Sequence, residues 1–296
     1  MSPQNHSTHA LLRVEELVKH FKAPRSRRRE GQGVVHAVCG VSFEVPRAKT
    51  FGIVGESGSG KTTVLRTVLG LHPPTAGRVV FDSVTVGQMS REVEREFRRR
   101  VAVVFQDPYT SLDPRMTVHQ LLTEPARIQR TEHDERRTQE LLELVRLPSD
   151  AAERYPHEFS GGQRQRIAIA RALALEPDLV VLDEPVSALD VTVQAEILAL
   201  LQSLQEDRGV SYLLVTHDLA VVADLAHEIG VMQLGRMVEQ GPTQEVISRP
   251  RDPYTQALLA AVPVPDPAVE RAKPPPEPGV AADRVSGQHC PHGERL

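Results

Sequence analysis

The chain has 296 residues, of which 40% are hydrophobic and 25% charged, and its net charge is −4 at pH 7. This length allows one large domain or two small ones around an ordinary buried core. The charge balance argues against a nucleic-acid-binding protein, which is usually strongly basic. No stretch approaches the ~20 apolar residues of a membrane-spanning helix, and the N-terminal residues lack a secretory-signal pattern. The composition predicts a cytosolic protein that reaches a membrane only through a partner.

The two cysteines, Cys39 and Cys290, are too few for a disulfide framework or a cysteine-rich metal site within one chain. Cys39 is most simply interpreted as a small buried apolar residue. Cys290 lies near His289 and His292, so this segment fits either a metal site or a disordered tail, and the tail is the favoured interpretation.

The N-terminal part predicts two strands. Leu11–Val18 forms the first, which leads to Phe21, and Val34–Val45 alternates with period two as the second. Residues 23–33 between them form an Arg-rich insert. A solvated loop is the favoured interpretation, and contact with anionic lipid headgroups is the alternative.

From Phe51 onward, short apolar runs alternate with helical patterns. Such runs are typical of parallel strands that are covered on both faces. They are Phe51–Val54, Val101–Phe105, Leu179–Leu182, Tyr212–Val215 and Ile229–Gln233. The helical segments between them are Thr62–Leu69, Val191–Asp207 and Leu219–Leu225. The alternation predicts an α/β fold with a largely parallel sheet.

A block without strands interrupts this alternation at about 110–175. Glu135–Val145 and Gln163–Leu175 read as helices there, so we expect a helical subdomain inserted into the α/β core. The whole domain is predicted to cover 10–262.

Two short helices, Thr243–Ser248 and Pro253–Ala261, complete the predicted domain. The Pro-rich tail, 263–296, is predicted to be a flexible or extended appendage because its prolines prevent a regular core.

A phosphate-binding loop (P-loop) follows the strand at Phe51–Val54. Its pattern is G-x-x-x-x-G-K-[ST], and glycines let the backbone N–H groups converge on phosphate oxygens at a helix N-terminus. The predicted nucleotide-binding residues here are Gly55, Glu56, Ser57, Gly58, Ser59, Gly60, Lys61, Thr62 and Thr63. Lys61 is expected to neutralise β- and γ-phosphate charge, and the Thr62 hydroxyl to ligate Mg²⁺.

Two adjacent acids end another apolar strand, Leu179–Leu182. Asp183 is placed to hold the Mg²⁺ hydration shell, and Glu184 to polarise a water for in-line attack on the γ-phosphate. Together with the P-loop, these acids predict nucleotide hydrolysis.

A second glycine motif identifies the family. Phe159–Gln163 resembles the signature sequence of ABC ATPases, with Phe in place of the usual Leu. Further matches occur in the family's order: Gln106 resembles the Q-loop glutamine, Ser187–Asp190 the D-loop, and His217 the switch histidine. The expected fold is thus the P-loop NTPase fold of an ABC nucleotide-binding domain, with a RecA-like core, an antiparallel β subdomain and a helical subdomain.

The resemblance also implies roles and partners. Two subunits are expected to pack head-to-tail, so that Ser160, Gly162, Gln163 and Asp190 of one contact the ATP of the other. Catalysis is assigned to Glu184, His217, Lys61 and Gln106, and Mg²⁺ binding to Thr62, Gln106 and Asp183. Phe21 resembles the aromatic residue that stacks on adenine, although a plain core Phe remains the alternative, since the insert lengthens its spacing to the P-loop.

Longer stretches resemble the dipeptide and oligopeptide importer branch, closest to its F-type subunit. They are Gln106–Val118, Arg154–Leu173, Ser187–Leu198, Thr216–Val222 and Asp252–Pro263. The branch implies a second ATPase subunit, two membrane permeases, an extracytoplasmic solute-binding protein, and a position on the cytoplasmic face of the cell membrane.

One departure concerns the C-terminal cysteines. Many members carry several there for an iron–sulfur cluster, whereas Cys290 alone cannot supply four thiolates.

The alternatives to peptide import are import of another solute, such as nickel or glutathione, and a non-transport ABC ATPase. An inactive regulatory cassette is disfavoured because the expected catalytic residues are intact.

Overall fold

A computed structural model describes residues 10–23 and 33–261. The predictions for the Arg-rich insert and the Pro-rich tail therefore fall almost wholly outside the described residues. The strands are β1 Leu12–Lys22, β2 Val34–Val45, β3 Thr50–Val54, β4 Ala76–Phe81, β5 Val84–Thr85, β6 Val101–Val104, β7 Leu179–Asp183, β8 Ser211–Thr216, β9 Glu228–Gln233 and β10 Arg236–Pro242. The helices are α1 Lys61–Val68, α2 Arg91–Arg100, α3 Pro108–Ser111, α4 Val118–Gln129, α5 Glu135–Leu144, α6 Gly161–Leu173, α7 Val191–Arg208, α8 Leu219–Leu225, α9 Thr243–Ser248 and α10 Pro253–Ala260.

The described residues form two compact units, which we treat separately. Among these residues, the helical unit comprises 10–11, 45–50 and 88–214, and the P-loop unit comprises 12–23, 33–44, 51–87 and 215–261.

An antiparallel sheet of order β2-β1-β4-β5 lies in the P-loop unit. β1 pairs with β4 from Leu12 opposite Phe81, and the register shifts between Glu15 and Val18. β4 and β5 are joined by a tight turn whose two residues have positive φ, the backbone that two-residue hairpins favour. The predicted antiparallel β subdomain is confirmed.

The P-loop unit also contains β3 from Phe51 onward, and the whole strand is buried. β3 pairs in parallel with β9 over Phe51–Val54, and β9 pairs antiparallel with β10. Burial on both faces explains why β3 is a continuous apolar run instead of an alternating one. This pairing sets the position from which the P-loop leaves the sheet.

The helical unit contains β6, β7 and residues 211–214 of β8, in the order β8-β7-β6. β6 and β7 are parallel, with Val104 opposite Leu182. Asp178 fixes the start of all three strands: its N–H donates to the Arg100 carbonyl and its carbonyl accepts from the Ser211 N–H, both at 2.9 Å. The side-chain carboxylate of Asp178 also forms an ion pair with the Arg100 guanidinium, at 2.5 Å.

The predicted helical block is present in the helical unit as α3 to α6. Its largest fully buried side chains are Leu121, Leu122, Leu141, Leu142 and Ile167. Arg171 joins two parts of the block, because its guanidinium donates to the Ser111 carbonyl at 2.8 Å and to the Glu124 carboxylate at 2.6 Å.

Several predicted boundaries were wrong. β1 continues to Lys22 and so includes Phe21, whereas β6 ends at Val104 and leaves Phe105 45% exposed. The helix expected at Gln163–Leu175 begins at Gly161, because Ser160 caps it. Among the described ranges, no helix combines the length and hydrophobicity needed to cross a bilayer.

Candidate functional site

The P-loop connects β3 to α1 and is held by close backbone packing. Gly60 is the N-cap of α1 with φ 109, a conformation that glycine adopts without strain. A Cβ at Gly60 would lie 2.4 Å from the Ala37 carbonyl oxygen, and one at Gly55 would lie 2.1 Å from that of Met232. Side chains at these two positions would therefore displace the loop.

Lys61 is folded back over the loop. Its Nζ donates to the carbonyl oxygens of Gly55 at 2.6 Å and Glu56 at 2.8 Å, and the residue is only 6% exposed. These contacts place the ammonium group at the mouth of the predicted phosphate cradle.

The cradle also fits a phosphate by the groups that line it. The Ser59 hydroxyl is buried and has no hydrogen-bond partner among the described residues, an arrangement that costs free energy unless a ligand or water supplies one. A Cβ at Gly58 would meet nothing within 4 Å. Thr62, on the first turn of α1, is exposed.

Tyr254 of α10 supports the P-loop, a role that the sequence interpretation missed. Its hydroxyl oxygen accepts the Glu56 N–H at 3.1 Å. Burial raises the pKa of Tyr254, and this hydrogen bond opposes the increase. The only sequence signal was the run beginning at Asp252, which was matched to the importer branch but given no role at the loop.

His217 and Phe21 also belong to the P-loop unit. His217 is exposed directly after β8, and the following Asp218 caps α8 by accepting the Ala220 N–H at 2.8 Å. The Phe21 ring is half-buried, with the Lys19 Nζ 5.0 Å from its centroid and the His72 ring packed edge-on at 5.4 Å. Adenine stacking on Phe21 stays a prediction.

In the helical unit, Gln106 and Glu184 contact each other. Because β6 and β7 are parallel with Val104 opposite Leu182, the two residues leave adjacent strands at the same level. The Gln106 Nε2 donates to the Glu184 Oε2 at 2.9 Å. Glu184 has φ 48, and a non-glycine residue in this region is strained and often functional. Asp183, the last residue of β7, is half-buried.

In the same unit, the signature packs against the D-loop, where a Cβ at Gly161 would lie 3.5 Å from Leu189, and against the first turn of α7. The Ser160 Oγ accepts the Gln163 N–H at 3.3 Å, and the Gln163 Oε1 accepts the Ser160 N–H at 3.0 Å. A Cβ at Gly162 would lie 2.3 Å from the Val193 Cγ1. The Asp190 carboxylate caps α7 by accepting the Val193 N–H at 3.0 Å. Gly162 is therefore required for packing between the N-termini of α6 and α7.

The predicted site residues thus form two groups, one in each unit. In the P-loop unit, the P-loop residues, including Lys61, form a single cradle. In the helical unit, Glu184 is hydrogen-bonded to Gln106, and the signature packs against the D-loop and the start of α7. Their roles on a nucleotide stay predictions.

Two family models match the chain. The model described as ABC transporter covers residues 38–187. The model described as oligopeptide/dipeptide transporter, C-terminal region, covers residues 238–295.

Several curated relatives are similar over most of the chain. The oligopeptide transport ATP-binding protein OppF of Bacillus subtilis is 45% identical over 269 residues, covering 89% of this chain and 86% of the relative. The probable peptide ABC transporter ATP-binding protein y4tS of Sinorhizobium fredii is 47% identical, covering 90% and 77%.

Solved structures of ATPase cassettes have the same fold. The ATP-binding cassette MJ0796, in a dimeric post-hydrolysis state bound to ADP and Pi, matches with a TM-score of 0.68 at 28% identity, covering 78% of this chain and 98% of that one. CbiO1 from Clostridium perfringens, part of the transporter complex cbiONQ, matches with a TM-score of 0.69 at 29% identity, covering 81% and 91%. The chain belongs to the ABC transporter family, and its fold is that of the family's ATPase domain.

Proposed function

We propose that this chain is the ATP-hydrolysing subunit of an importer for di- or oligopeptides. The observation that carries this proposal is that one chain matches both the ABC transporter model and the C-terminal region of oligopeptide/dipeptide transporters. The names of the curated relatives agree with it.

The P-loop is proposed to bind the ATP phosphates. Its N–H groups and the N-terminus of α1 provide donors and a favourable dipole for an anion. Lys61 would exchange two neutral carbonyl acceptors, on Gly55 and Glu56, for charged phosphate oxygens, which form stronger hydrogen bonds. The buried Ser59 hydroxyl would gain a partner in the same step.

Mg²⁺ is proposed to bind the oxygen atoms of Thr62, Asp183 and Gln106, since hard cations prefer oxygen ligands. Gln106 uses its Nε2 on Glu184, so its Oε1 is the atom that would ligate the metal. When bound, Mg²⁺ neutralises part of the phosphate charge and orients it for attack.

Glu184 is proposed as the general base. Its carboxylate would accept a proton from the attacking water, whose oxygen then bonds to the γ-phosphorus as the bond to ADP breaks. The hydrogen bond from Gln106 orients that carboxylate, and His217 would contact the γ-phosphate. Phe21 would stack on the adenine ring.

The signature of a second subunit is proposed to complete each site. Ser160, Gly162 and Gln163 form the N-terminus of α6, which suits an anion, and Asp190 lies on the loop that packs against it. The similar cassette MJ0796 is described as dimeric in two solved structures, which supports this arrangement. A homodimer and a heterodimer are both compatible with it.

The helical unit is proposed to contact the permeases at the cytoplasmic face of the membrane. A groove of about 240 Å³ there is lined by β6, Phe105, Pro125 and Ala168, among others. Phe105 directly precedes Gln106, whose side chain is hydrogen-bonded to Glu184. A permease segment bound in this groove would therefore be linked to Glu184 through the side chain of Gln106.

Reconstitution with two permeases and a solute-binding protein tests the proposal. ATP hydrolysis should rise several-fold when the binding protein carries a di- or oligopeptide, and not when it is offered nickel or glutathione. If only nickel or only glutathione raised the rate of ATP hydrolysis, that solute, and not a peptide, would be the transported one. If the rate of ATP hydrolysis were the same with and without the permeases, the chain would instead be a non-transport ATPase.

A further inference from the structure

We propose that His20, His36 and Cys39 form a binding site for a thiolate- and imidazole-preferring transition metal, with Zn²⁺ as the best match. One ligand atom of each residue lies within 4.8 Å of the others. None of the three has a role in the nucleotide site, although all three belong to the P-loop unit.

The local structure of β2 brings the three side chains together. β1, which contains His20, lies beside β2, but residues 36 and 39 of a regular strand would point to opposite faces. Burial does not alternate in the first half of β2: residues 34–37 are all half-buried, the successive Val38 and Cys39 are both buried, and Gly40 follows with φ 77. This irregularity, typical of a β-bulge, explains why His36 and Cys39 reach the same cluster.

The spacing of the ring nitrogens is close to that in a metal site. The His36 Nδ1 and the His20 Nε2 are 3.0 Å apart. Two nitrogens at 2.0–2.1 Å from a tetrahedral Zn²⁺ would be about 3.3 Å apart, so the rings need to separate by only a few tenths of an ångström. The Cys39 sulfur lies within 4.8 Å of a ring nitrogen of each histidine, and a sulfur and a nitrogen bound to one tetrahedral Zn²⁺ would be about 3.6 Å apart.

The ligand set decides which metal suits the site. Two imidazoles and a thiolate favour Zn²⁺ or copper, whereas Mg²⁺ and Ca²⁺ prefer oxygen. His20 is 4% and Cys39 8% exposed, while His36 is half-buried. The His36 side therefore gives a water access to the fourth position.

Without metal, the two imidazoles satisfy each other with one hydrogen bond. On metal binding, the donor ring would move its proton to its other nitrogen, and the Cys39 thiol would release its proton to solvent. Each metal ion bound thus releases one proton from this site, as is usual for thiolate ligands.

The site lies directly behind the P-loop. Ala37 lies between His36 and Cys39 in the sequence, and its carbonyl oxygen would be 2.4 Å from a Cβ placed at Gly60. The Cys39 N–H donates to the Gly235 carbonyl, and the Gly235 N–H donates to the Ser59 carbonyl, both at 2.8 Å. A bound metal would therefore brace β1 and β2 where they support the nucleotide cradle.

Cobalt titration of the untagged full-length protein, kept reduced with a phosphine and freed of metal, tests the proposal. Wild type should bind one Co²⁺ per chain in this site, with tetrahedral visible bands and a thiolate-to-cobalt charge-transfer band, and Zn²⁺ should displace it. Cys39→Ser should abolish the charge-transfer band, and His20→Gln or His36→Gln should weaken binding about tenfold or more.

The C-terminal residues provide the matched control. A variant carrying His289→Gln, Cys290→Ser and His292→Gln should retain the full signal. Loss of the band in that variant with retention in Cys39→Ser would overturn the proposal, as would the absence of stoichiometric binding by wild type. Circular dichroism of Cys39→Ser, a near-isosteric change, separates loss of a ligand from loss of the fold.

Discussion

The P-loop and the carboxylate of Glu184, the proposed general base, are held in different ways. Gly55 and Gly60 of the P-loop pack against backbone atoms of Met232 and Ala37, and Lys61 is buried. Gln106 is exposed, and the hydrogen bond that it forms with Glu184 is accessible to solvent. The comparison predicts that the proposed phosphate cradle is formed before a nucleotide binds, whereas the orientation of the proposed base, Glu184, depends on a solvent-accessible hydrogen bond.

The largest effect is expected on the ATP turnover rate when Glu184, the proposed general base, is substituted. Glu184→Gln should lower the ATP turnover rate by about 10²–10⁴-fold, the usual contribution of a general base, while the affinity for ATP is retained because the P-loop is untouched. Steady-state phosphate release and fluorescent-nucleotide binding measure the two quantities. Turnover at the wild-type rate would remove Glu184 from this role.

Loss of the cradle's cation should weaken nucleotide binding itself. Lys61→Ala removes the only ammonium group proposed for the β- and γ-phosphates, so turnover should fall by about 10²–10³-fold, and ATP affinity should fall with it. The control is Lys49→Ala, which removes an exposed lysine with no proposed role. Equal losses in the two variants would contradict the assignment.

Packing of the signature against the D-loop and the first turn of α7 is tested by substitutions at two adjacent glycines. Gly162→Ala places a Cβ 2.3 Å from Val193 and should cost about 1–3 kcal/mol of unfolding free energy. Gly161→Ala meets only Leu189, at 3.5 Å, and should cost little. Denaturant unfolding measures both, and equal stabilities would show that this packing is not as described.

The smallest effect is expected at the support of the P-loop. Tyr254→Phe leaves the Glu56 N–H without its partner and should cost about 0.5–1.5 kcal/mol, with a modest loss of ATP affinity. Tyr109→Phe, at a residue that is 63% exposed, is the control. An unchanged stability would mean that water replaces the lost acceptor.

Sequence alone predicted the parts of the fold that have strong periodicity or full burial. β3, β7 and β8 were found because their residues are nearly all apolar, and α8 because its apolar residues recur with helical spacing. The helix α2 was missed because Phe97 is its only buried residue. β5 has two residues, and every residue of β10 is at least partly exposed, so neither has a hydrophobic pattern.

Candidate site residues were predictable where a motif is contiguous. The P-loop is one such motif. The support from Tyr254 depends on a contact almost 200 residues away in the chain, which no local pattern contains. The cluster of His20, His36 and Cys39 depends on the lost alternation in the first half of β2, and a regular strand would have placed His36 and Cys39 on opposite faces.

The central claim is that ATP joins two of these subunits and that Glu184 then allows them to part. Size-exclusion chromatography of Glu184→Gln, with and without MgATP, alone and mixed with a companion ATPase subunit, tests it most directly. The account predicts a shift to a dimer that requires MgATP. Confirmed ATP binding with no shift in any mixture would contradict it.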